Sequence, residues 1–248
     1  MSSPSPLSPR LLDGWSRQGG WVFDLDGTLL DIAPRPDAVE VPPSLLSSLS
    51  QLSNLSAGRV AIVSGRALAD LVHLIPLPSI ALVGNHGAER RINGHVNSVS
   101  PPSEGLNAIR SQLNQLPTTF PGLVVEDKDW TISVHVRHVA EHRLGACEAA
   151  IRDIASRPDL YLRAAKACWE IGPKSGASKG DAVRWLSEHW GTDIRLAIFG
   201  DDVTDEDAFH AARPHDLTVI IGSRRPTQAK FSLPSPDTLR RLIKTTVS

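Results

Sequence analysis

Two carboxylates one residue apart, Asp24 and Asp26, end an apolar run and are followed by Gly27-Thr28. The run Trp21-Val22-Phe23 has the composition of a strand buried in a parallel sheet. Its carboxyl end is where open α/β sheets place their sites. Along an extended strand residues i and i+2 point the same way, so the two carboxylates would share a side and repel. A divalent hard cation with oxygen ligands resolves that repulsion. The segment therefore reads as a metal-assisted phosphoryl site rather than as a turn that happens to be acidic.

Other candidate groups stand at the ends of other short apolar runs. Arg59 to Val63 leads into Ser64-Gly65-Arg66, and Ile80 to Val83 into Gly84-Asn85-His86-Gly87. Arg195 to Phe199 leads into Gly200-Asp201-Asp202-Val203-Thr204-Asp205-Glu206-Asp207, with five carboxylates in its last seven residues. A helix dipole accounts for acid at Asp205, Glu206 and Asp207, but not for Asp201 and Asp202 at the strand tip. Asp201 is thus the candidate second metal ligand. The Ser64 hydroxyl and backbone N–H groups around Gly65 suit phosphate oxygens. Lys179, between Ser178 and Gly180 at a helix start, is placed to reach an anion. Each of these last signals is weak alone, since Ser-Gly turns and surface lysines are common.

The elements that must position these groups follow from periodicity. A helix starts after Pro42-Pro43, with Leu45, Leu46, Leu49, Leu52 and Leu55 at helical spacing. Another spans about Ala67 to Leu74. Strands alternating with helices predict a parallel sheet. The middle third differs. Gly94 to Pro102 is polar and turn-rich, as a linker would be. Leu106, Ile109, Leu113 and Leu116 mark a helix, Leu123 to Val125 a strand, and Val139 to Ser156 a second helix. In Thr131 to Arg137 the apolar Ile132, Val134 and Val136 alternate with Thr131, Ser133, His135 and Arg137, which predicts a strand with one wet face. Strands are also expected near Leu160 to Arg163 and Ala167 to Ile171. The last third returns to the first pattern: a helix carrying Val183, Leu186 and Trp190, then strands at Arg195 to Phe199 and Leu217 to Ile221. The expected architecture is an α/β core of residues 19–90 and 173–248, split by a smaller α+β cap of residues 91–172. Residues 1–18, rich in Ser and Pro, read as a flexible tail. Arg91 to Gly94 and Gly172 to Gly176 are the expected hinges.

Asp24-Leu25-Asp26-Gly27-Thr28, Ser64, Lys179 and Gly200-Asp201-Asp202 appear in the order of the four motifs of the haloacid dehalogenase (HAD) superfamily, which the chain resembles over nearly its whole length. The resemblance implies a HAD-like Rossmannoid core with a parallel sheet. It implies Asp24 as a nucleophile forming an aspartyl-phosphate and Asp26 as the acid, then base, for the leaving group and water. Ser64, Gly65 and Lys179 would hold phosphoryl oxygens. Asp24, the Asp26 backbone carbonyl and Asp201 would hold Mg²⁺, with Asp205 nearby.

Further strings narrow the likeness. Gly84-Asn85-His86-Gly87-Ala88-Glu89, Glu126-Asp127-Lys128, His135-Val136-Arg137, Glu170-Ile171-Gly172-Pro173 and the GDDxTDED string at Gly200 to Asp207 resemble the trehalose-6-phosphate phosphatase family. By that resemblance Glu126, Lys128, His135, Arg137, Lys166 and Glu170 of the cap, with Arg66, Asn85 and His86 of the core, would bind substrate. Read from the residues, His135 and Arg137 share a wet strand face, and Glu126 and Lys128 share parity. Charged side chains in pairs are the groups that read sugar hydroxyls. Read alone, the four-charge run Glu126 to Asp129 is also what a solvated turn looks like. The chain departs from the family at Val136, where an aromatic is common, and by about one extra residue between Glu170 and Lys179.

The implied activity is Mg²⁺-dependent hydrolysis of trehalose 6-phosphate in trehalose biosynthesis. The alternatives are another phosphorylated glycoside, such as glucosylglycerol-phosphate or sucrose-phosphate, or a non-catalytic sugar-phosphate sensor. A P-loop nucleotide hydrolase is disfavoured, because no GxxxxGK[ST] string exists. A net charge of −1 over 248 residues, with no basic run beyond two, argues against nucleic acid or an anionic membrane as partner. No apolar stretch is long enough to span a bilayer. Cys147 and Cys168 lack metal-ligand spacing and read as free thiols of a cytoplasmic protein. The expected partner is a small sugar phosphate and the expected state a monomer.

Overall fold

The apolar run before Asp24 forms a strand with all four residues buried, as do the runs before Ser64 and Asn85. The computed structural model describes residues 3–12, 14–33, 39–98, 103–165, 167–174, 176–222 and 226–248. In chain order the elements are β1 (Ser5–Pro6), α1 (Trp15–Gln18), β2 (Gly20–Phe23), α2 (Pro43–Leu55), β3 (Val60–Val63), α3 (Leu68–Leu74), β4 (Ala81–Gly84), β5 (Glu89–Ile92) and β6 (His95–Ser98). There follow α4 (Glu104–Thr119), β7 (Val124–Asp127), β8 (Ile132–His135), α5 (Glu141–Ile154), β9 (Leu160–Ala165) and β10 (Cys168–Pro173). The last are α6 (Lys179–Trp190), β11 (Leu196–Gly200), α7 (Asp205–Ala211), β12 (Leu217–Ile221), β13 (Phe231–Leu233) and α8 (Pro236–Val247). The chain divides into two units, residues 1–99 with 177–248, and residues 100–176.

In the first unit, described residues form a nine-stranded sheet ordered β1-β13-β12-β11-β2-β3-β4-β5-β6. It is parallel from β1 to β4 and antiparallel only at β5 and β6. Strand alternation sorts the side chains into two cores. Trp21, Phe23, Ile62, Leu82 and Phe199 pack with Leu45, Leu49 and Leu52 of α2 and Leu239 and Ile243 of α8. Val22, Ala61, Val63, Val83 and Ile198 pack with Val183 and Leu186 of α6 and Phe209 of α7. Helices cover both faces, so the carboxyl edge of the sheet is where polar groups can gather.

Three expectations differ from this unit. The expected flexible tail, residues 1–18, is not loose where it is described (3–12 and 14–18): β1 pairs with β13, and Leu7, Leu12 and Trp15 are buried in the α2/α8 core. The Ser and Pro content masks three large apolar side chains that have a core to enter. The insertion does not begin at residue 91, because β5 and β6 extend the large sheet. Ile92 pairs with His95 across Asn93-Gly94, both at positive φ (49° and 78°), so the presumed hinge and the start of the presumed linker are a tight hairpin. Asn-Gly between two strands is a strong hairpin signal, and it was available in the sequence. Helix α8 is not among the expected elements; Ser235 caps it by accepting from the Thr238 N–H, and it starts at Pro236.

In the second unit, described residues form a four-stranded antiparallel sheet ordered β7-β8-β10-β9. Ile132, Val134, Trp169 and Ile171 face a core completed by Leu106, Ile109 and Leu113 of α4 and Cys147 and Ile151 of α5. The chain is therefore mixed α/β, with a mostly parallel sheet and a separate antiparallel one. Among the described residues no helix is long and apolar enough to cross a membrane.

Candidate active site

The neighbours β11, β2, β3 and β4 bring their carboxyl ends side by side, and with them Asp201, Asp24, Ser64 and Asn85. Lys179 is the first residue of α6, whose start is held by a reciprocal cap between Ser178 and Asp181. From there its ammonium donates to Asp24 Oδ1 and to Asp205 Oδ1, at 2.7 Å each. The Asp205 Oδ2 atom accepts from the backbone N–H groups of Asp201 and Asp202, at 3.0 Å each. Asp205 thus begins α7 and also ties down the turn that presents Asp201. Thr28, fully buried, donates to Asp201 Oδ1 at 3.1 Å. Gly27 has φ +91°, and a Cβ there would overlap the Asp201 carboxylate. A glycine is needed at this position for both reasons.

Asp24, Asp201 and Asp205 each offer a carboxylate oxygen within 4.8 Å of the others, an arrangement that could hold a metal ion. Burial pushes the Asp24 carboxyl well above its ordinary value; Lys179 opposes the shift, while Asp205 and Asp201 add to it. Asp201 is pushed up to about 6, by burial first and by Asp205 next. Burial also works against the Lys179 charge, but Asp205 and Asp24 outweigh it and the ammonium stays protonated. One ammonium beside two buried carboxylates and a third that is half-buried leaves the cluster short of positive charge. An oxygen-only donor set with that deficit fits a hard divalent cation.

Strand β2 ends at Phe23, before either carboxylate, so strand parity does not extend to Asp24 and Asp26. Arg66 grips Asp26 through both oxygens, Nε to Oδ2 at 2.6 Å and Nη2 to Oδ1 at 2.7 Å. The turn after β3 is closed by the Arg66 N–H donating to Ser64 Oγ at 3.1 Å. A Cβ at Gly65 would lie 2.6 Å from the His86 ring, so the missing side chain lets the imidazole lie against that turn. Asn85 and His86 both have positive φ, 46° and 57°. Such strain at non-glycine residues is held by surrounding contacts. Here Glu89 Oε2 accepts from Asn85 Nδ2 at 2.5 Å and from the Leu68 N–H at 3.0 Å. Neither Thr28 nor Glu89 stood among the expected site residues; both lie inside the motif strings that drew attention to their neighbours.

The second unit carries its own polar group on the sheet face opposite its core. Glu126, Ser133, Glu170 and Arg163 are paired in one row across the four strands, and Val124, His135, Cys168 and Ala165 in the next. Glu126 Oε2 lies 3.0 Å from His135 Nε2 and 3.7 Å from Lys128 Nζ. His135 is raised to about 9, first by its hydrogen bond with Cys168 and then by Glu126. Strand parity splits the charge run: Asp127 and Asp129 are bound by Arg110 of α4, leaving Glu126 and Lys128 paired with each other. Arg137 lies just past β8 and is exposed. Val136 is buried in the α4/α5 core, so the departure from the family at that position is one of packing. Tyr161 donates to Glu170 Oε1 at 2.8 Å, a contact the sequence did not suggest. Lys166 lies outside the described residues.

A family model described as trehalose-phosphatase matches residues 22–237. The trehalose-6-phosphate phosphatase of Escherichia coli (strain K12) is 36% identical over 236 residues, covering 94% of this chain and 86% of that protein. The trehalose-phosphate phosphatase of Mycobacterium tuberculosis (strain ATCC 25618 / H37Rv) is 35% identical over 239 residues, covering 91% of this chain. The chain spans 61% of the length of that mycobacterial relative. The C-terminal domain of Candida albicans trehalose-6-phosphate phosphatase shares the fold, with a TM-score of 0.83 at 22% identity over 99% of this chain and 98% of its own. A crystal structure of a trehalose-6-phosphate phosphatase related protein aligns with a TM-score of 0.78 at 27% identity, over 92% of this chain and 97% of its own.

Proposed function

The chain belongs to the trehalose-phosphatase family, and from that premise we propose that it hydrolyses trehalose 6-phosphate to trehalose and phosphate by way of a phosphoryl group carried on Asp24. The observation that carries the reading is the buried cluster in which Lys179 bridges Asp24 and Asp205 beside Asp201. Asp24, Asp201 and the backbone carbonyl of Asp26 would hold Mg²⁺, with Asp205 bracing them. When bound, the ion neutralises phosphate oxygens and stabilises the charge of the transfer. Lys179, the Ser64 hydroxyl and the Gly65 N–H hold the phosphoryl oxygens, offsetting repulsion between carboxylate nucleophile and phosphate dianion.

In the first step an Asp24 carboxylate oxygen bonds to phosphorus and the bond from phosphorus to the sugar C6 oxygen breaks. Asp26 delivers a proton to that oxygen. In the second step Asp26 takes a proton from water as the water oxygen attacks phosphorus, and phosphate leaves Asp24. Arg66 orients Asp26 by holding both of its carboxylate oxygens, each of which keeps a lone pair for the proton. Glu126, Lys128, His135, Arg137, Lys166 and Glu170 read the disaccharide hydroxyls, with Asn85 and His86 contributing from the core.

Phosphate release from trehalose 6-phosphate, sucrose 6-phosphate and glucosylglycerol phosphate, with the purified chain and Mg²⁺, tests this. The expected result is preference for trehalose 6-phosphate and loss of turnover in EDTA or in Asp24→Asn. Preference for another ester removes the substrate assignment and keeps the chemistry. Turnover retained by Asp24→Asn removes the nucleophile.

A further inference from the structure

The tyrosine of the second unit sits in a built position that the sugar-reading residues do not explain. Tyr161 on β9 stands directly opposite Gly172 on β10, and Glu170 stands opposite Arg163. Tyr161 and Glu170 are thus diagonal neighbours on one sheet face, within reach of long side chains. A Cβ at Gly172 would lie 2.7 Å from the Tyr161 hydroxyl oxygen and 2.8 Å from ring carbons. Gly172 is not at positive φ, so glycine there makes room for the ring rather than for a backbone turn. The Arg163 guanidinium lies 5.3 Å from the ring centroid. The ring is placed by these two neighbours, and its hydroxyl donates to Glu170 Oε1 at 2.8 Å.

We propose that Tyr161 is a positioning residue for substrate recognition, seated on Gly172 so that its hydroxyl orients the Glu170 carboxylate toward the sugar. The proposal rests on the reading that Glu170 meets the disaccharide. A glutamate has three side-chain torsions, and ordering them before the ligand arrives lowers the cost of binding. The effect belongs to sugar binding, because Tyr161 and Glu170 lie on the second unit's sheet while Asp24 and Asp201 lie at strand tips of the first unit and Lys179 at the start of its α6.

The test uses the whole chain with Mg²⁺ and the variants Tyr161→Phe, Gly172→Ala, Glu170→Gln and Tyr161→Phe with Glu170→Gln. Steady-state constants are measured for trehalose 6-phosphate and for p-nitrophenyl phosphate, which has no sugar. A hydrogen bond to a charged group corresponds to about a tenfold effect or more, so Tyr161→Phe should raise KM for the sugar ester about tenfold. Its kcat should stay within about twofold, and p-nitrophenyl phosphate hydrolysis should not change. Gly172→Ala, which displaces the ring, should move KM the same way. The double variant should be no weaker than Glu170→Gln. Tyr161→Phe with unchanged KM, when Glu170→Gln raises it, overturns the positioning role. Equal losses on both esters also overturn it, since a general structural defect does that. An unchanged KM in Glu170→Gln overturns the underlying assignment of Glu170, and the positioning role with it.

Discussion

Lys179→Met should destabilise the metal-free protein strongly above neutral pH and weakly in acid. Lys179 is 4% exposed and bridges Asp24 and Asp205 at 2.7 Å each, with Asp201 alongside. Methionine keeps most of the unbranched stem, so the loss is chiefly electrostatic. Removing one partner of a buried ion pair costs about 3–5 kcal/mol. For a chain of this size that corresponds to a fall of roughly 6–20 °C in Tm. The pH dependence follows from the native carboxyls. Asp201 is raised from 3.8 to about 6, and Asp24 is raised as well. Acids with raised native values bind more protons folded than unfolded, so their burden is absent below pH 3.8 and grows as pH rises through about 6. Without the ammonium the burden is larger, so the deficit of the variant should be greater at pH 8 than at pH 5. Urea and thermal unfolding in EDTA at the two values measure it. Saturating Mg²⁺ should recover part of the loss at pH 8, about 2.7 kcal/mol at a hundredfold excess over Kd. A loss under about 1 kcal/mol at pH 8 would refute the argument, given the 3–5 kcal/mol scale of buried pairs. So would equal losses at the two pH values. The variant should also lose at least about a hundredfold in kcat.

Gly27→Ala should weaken Mg²⁺ activation and lower stability by about 1 kcal/mol or more, since it sets a Cβ against Asp201 at a φ of +91°; titrating activity against Mg²⁺ reads the first effect. Thr28→Val, close in volume, removes the hydrogen bond to Asp201 and should raise the Mg²⁺ concentration for half-activation several-fold while circular dichroism stays native. His135 is raised from 6.5 to about 9, so its stabilising contribution is complete below pH 6.5 and is lost as pH rises through about 9. KM for the sugar ester should therefore rise near pH 9, and His135→Gln should flatten that limb of the profile. Arg110→Ala frees the turn holding Asp127 and Asp129, and should raise KM several-fold through Glu126 and Lys128 with kcat little changed.

Where periodicity was strong, the sequence was readable. The buried strands β2, β3, β4, β11 and β12 and the helices α2, α4 and α6 lie within two residues or so of where spacing puts them, because each has to bury a continuous face. Failures came where short-range composition competes with burial. Residues 3–12 look like a tail until the core takes up Leu7 and Leu12. The polar residues around Asn93-Gly94 have the composition of a linker and hide a two-residue hairpin signal. Strand parity does not reach the site: β2 stops before Asp24 and Asp26, so the period-2 argument has no strand to rest on there.

The residue types at the strand tips by themselves pointed to a metal-assisted phosphoryl site. Asp24, Asp26, Ser64 and Asp201 follow runs with strand composition, Lys179 begins a helix, and their order along the chain carries the family resemblance that implies the reaction. Tertiary structure alone decided who touches whom. Lys179 reaches an aspartate 155 positions away, and Thr28 reaches one 173 away. Those pairs are set by which strands neighbour which, by how closely Gly27 lets the Asp201 carboxylate approach, and by how closely Gly180 lets the Asp207 backbone approach. Arg66 on Asp26 and Tyr161 on Glu170 belong to the same class. A side chain's partner across a sheet depends on register and rotamer, which packing of the whole core selects and no local string encodes.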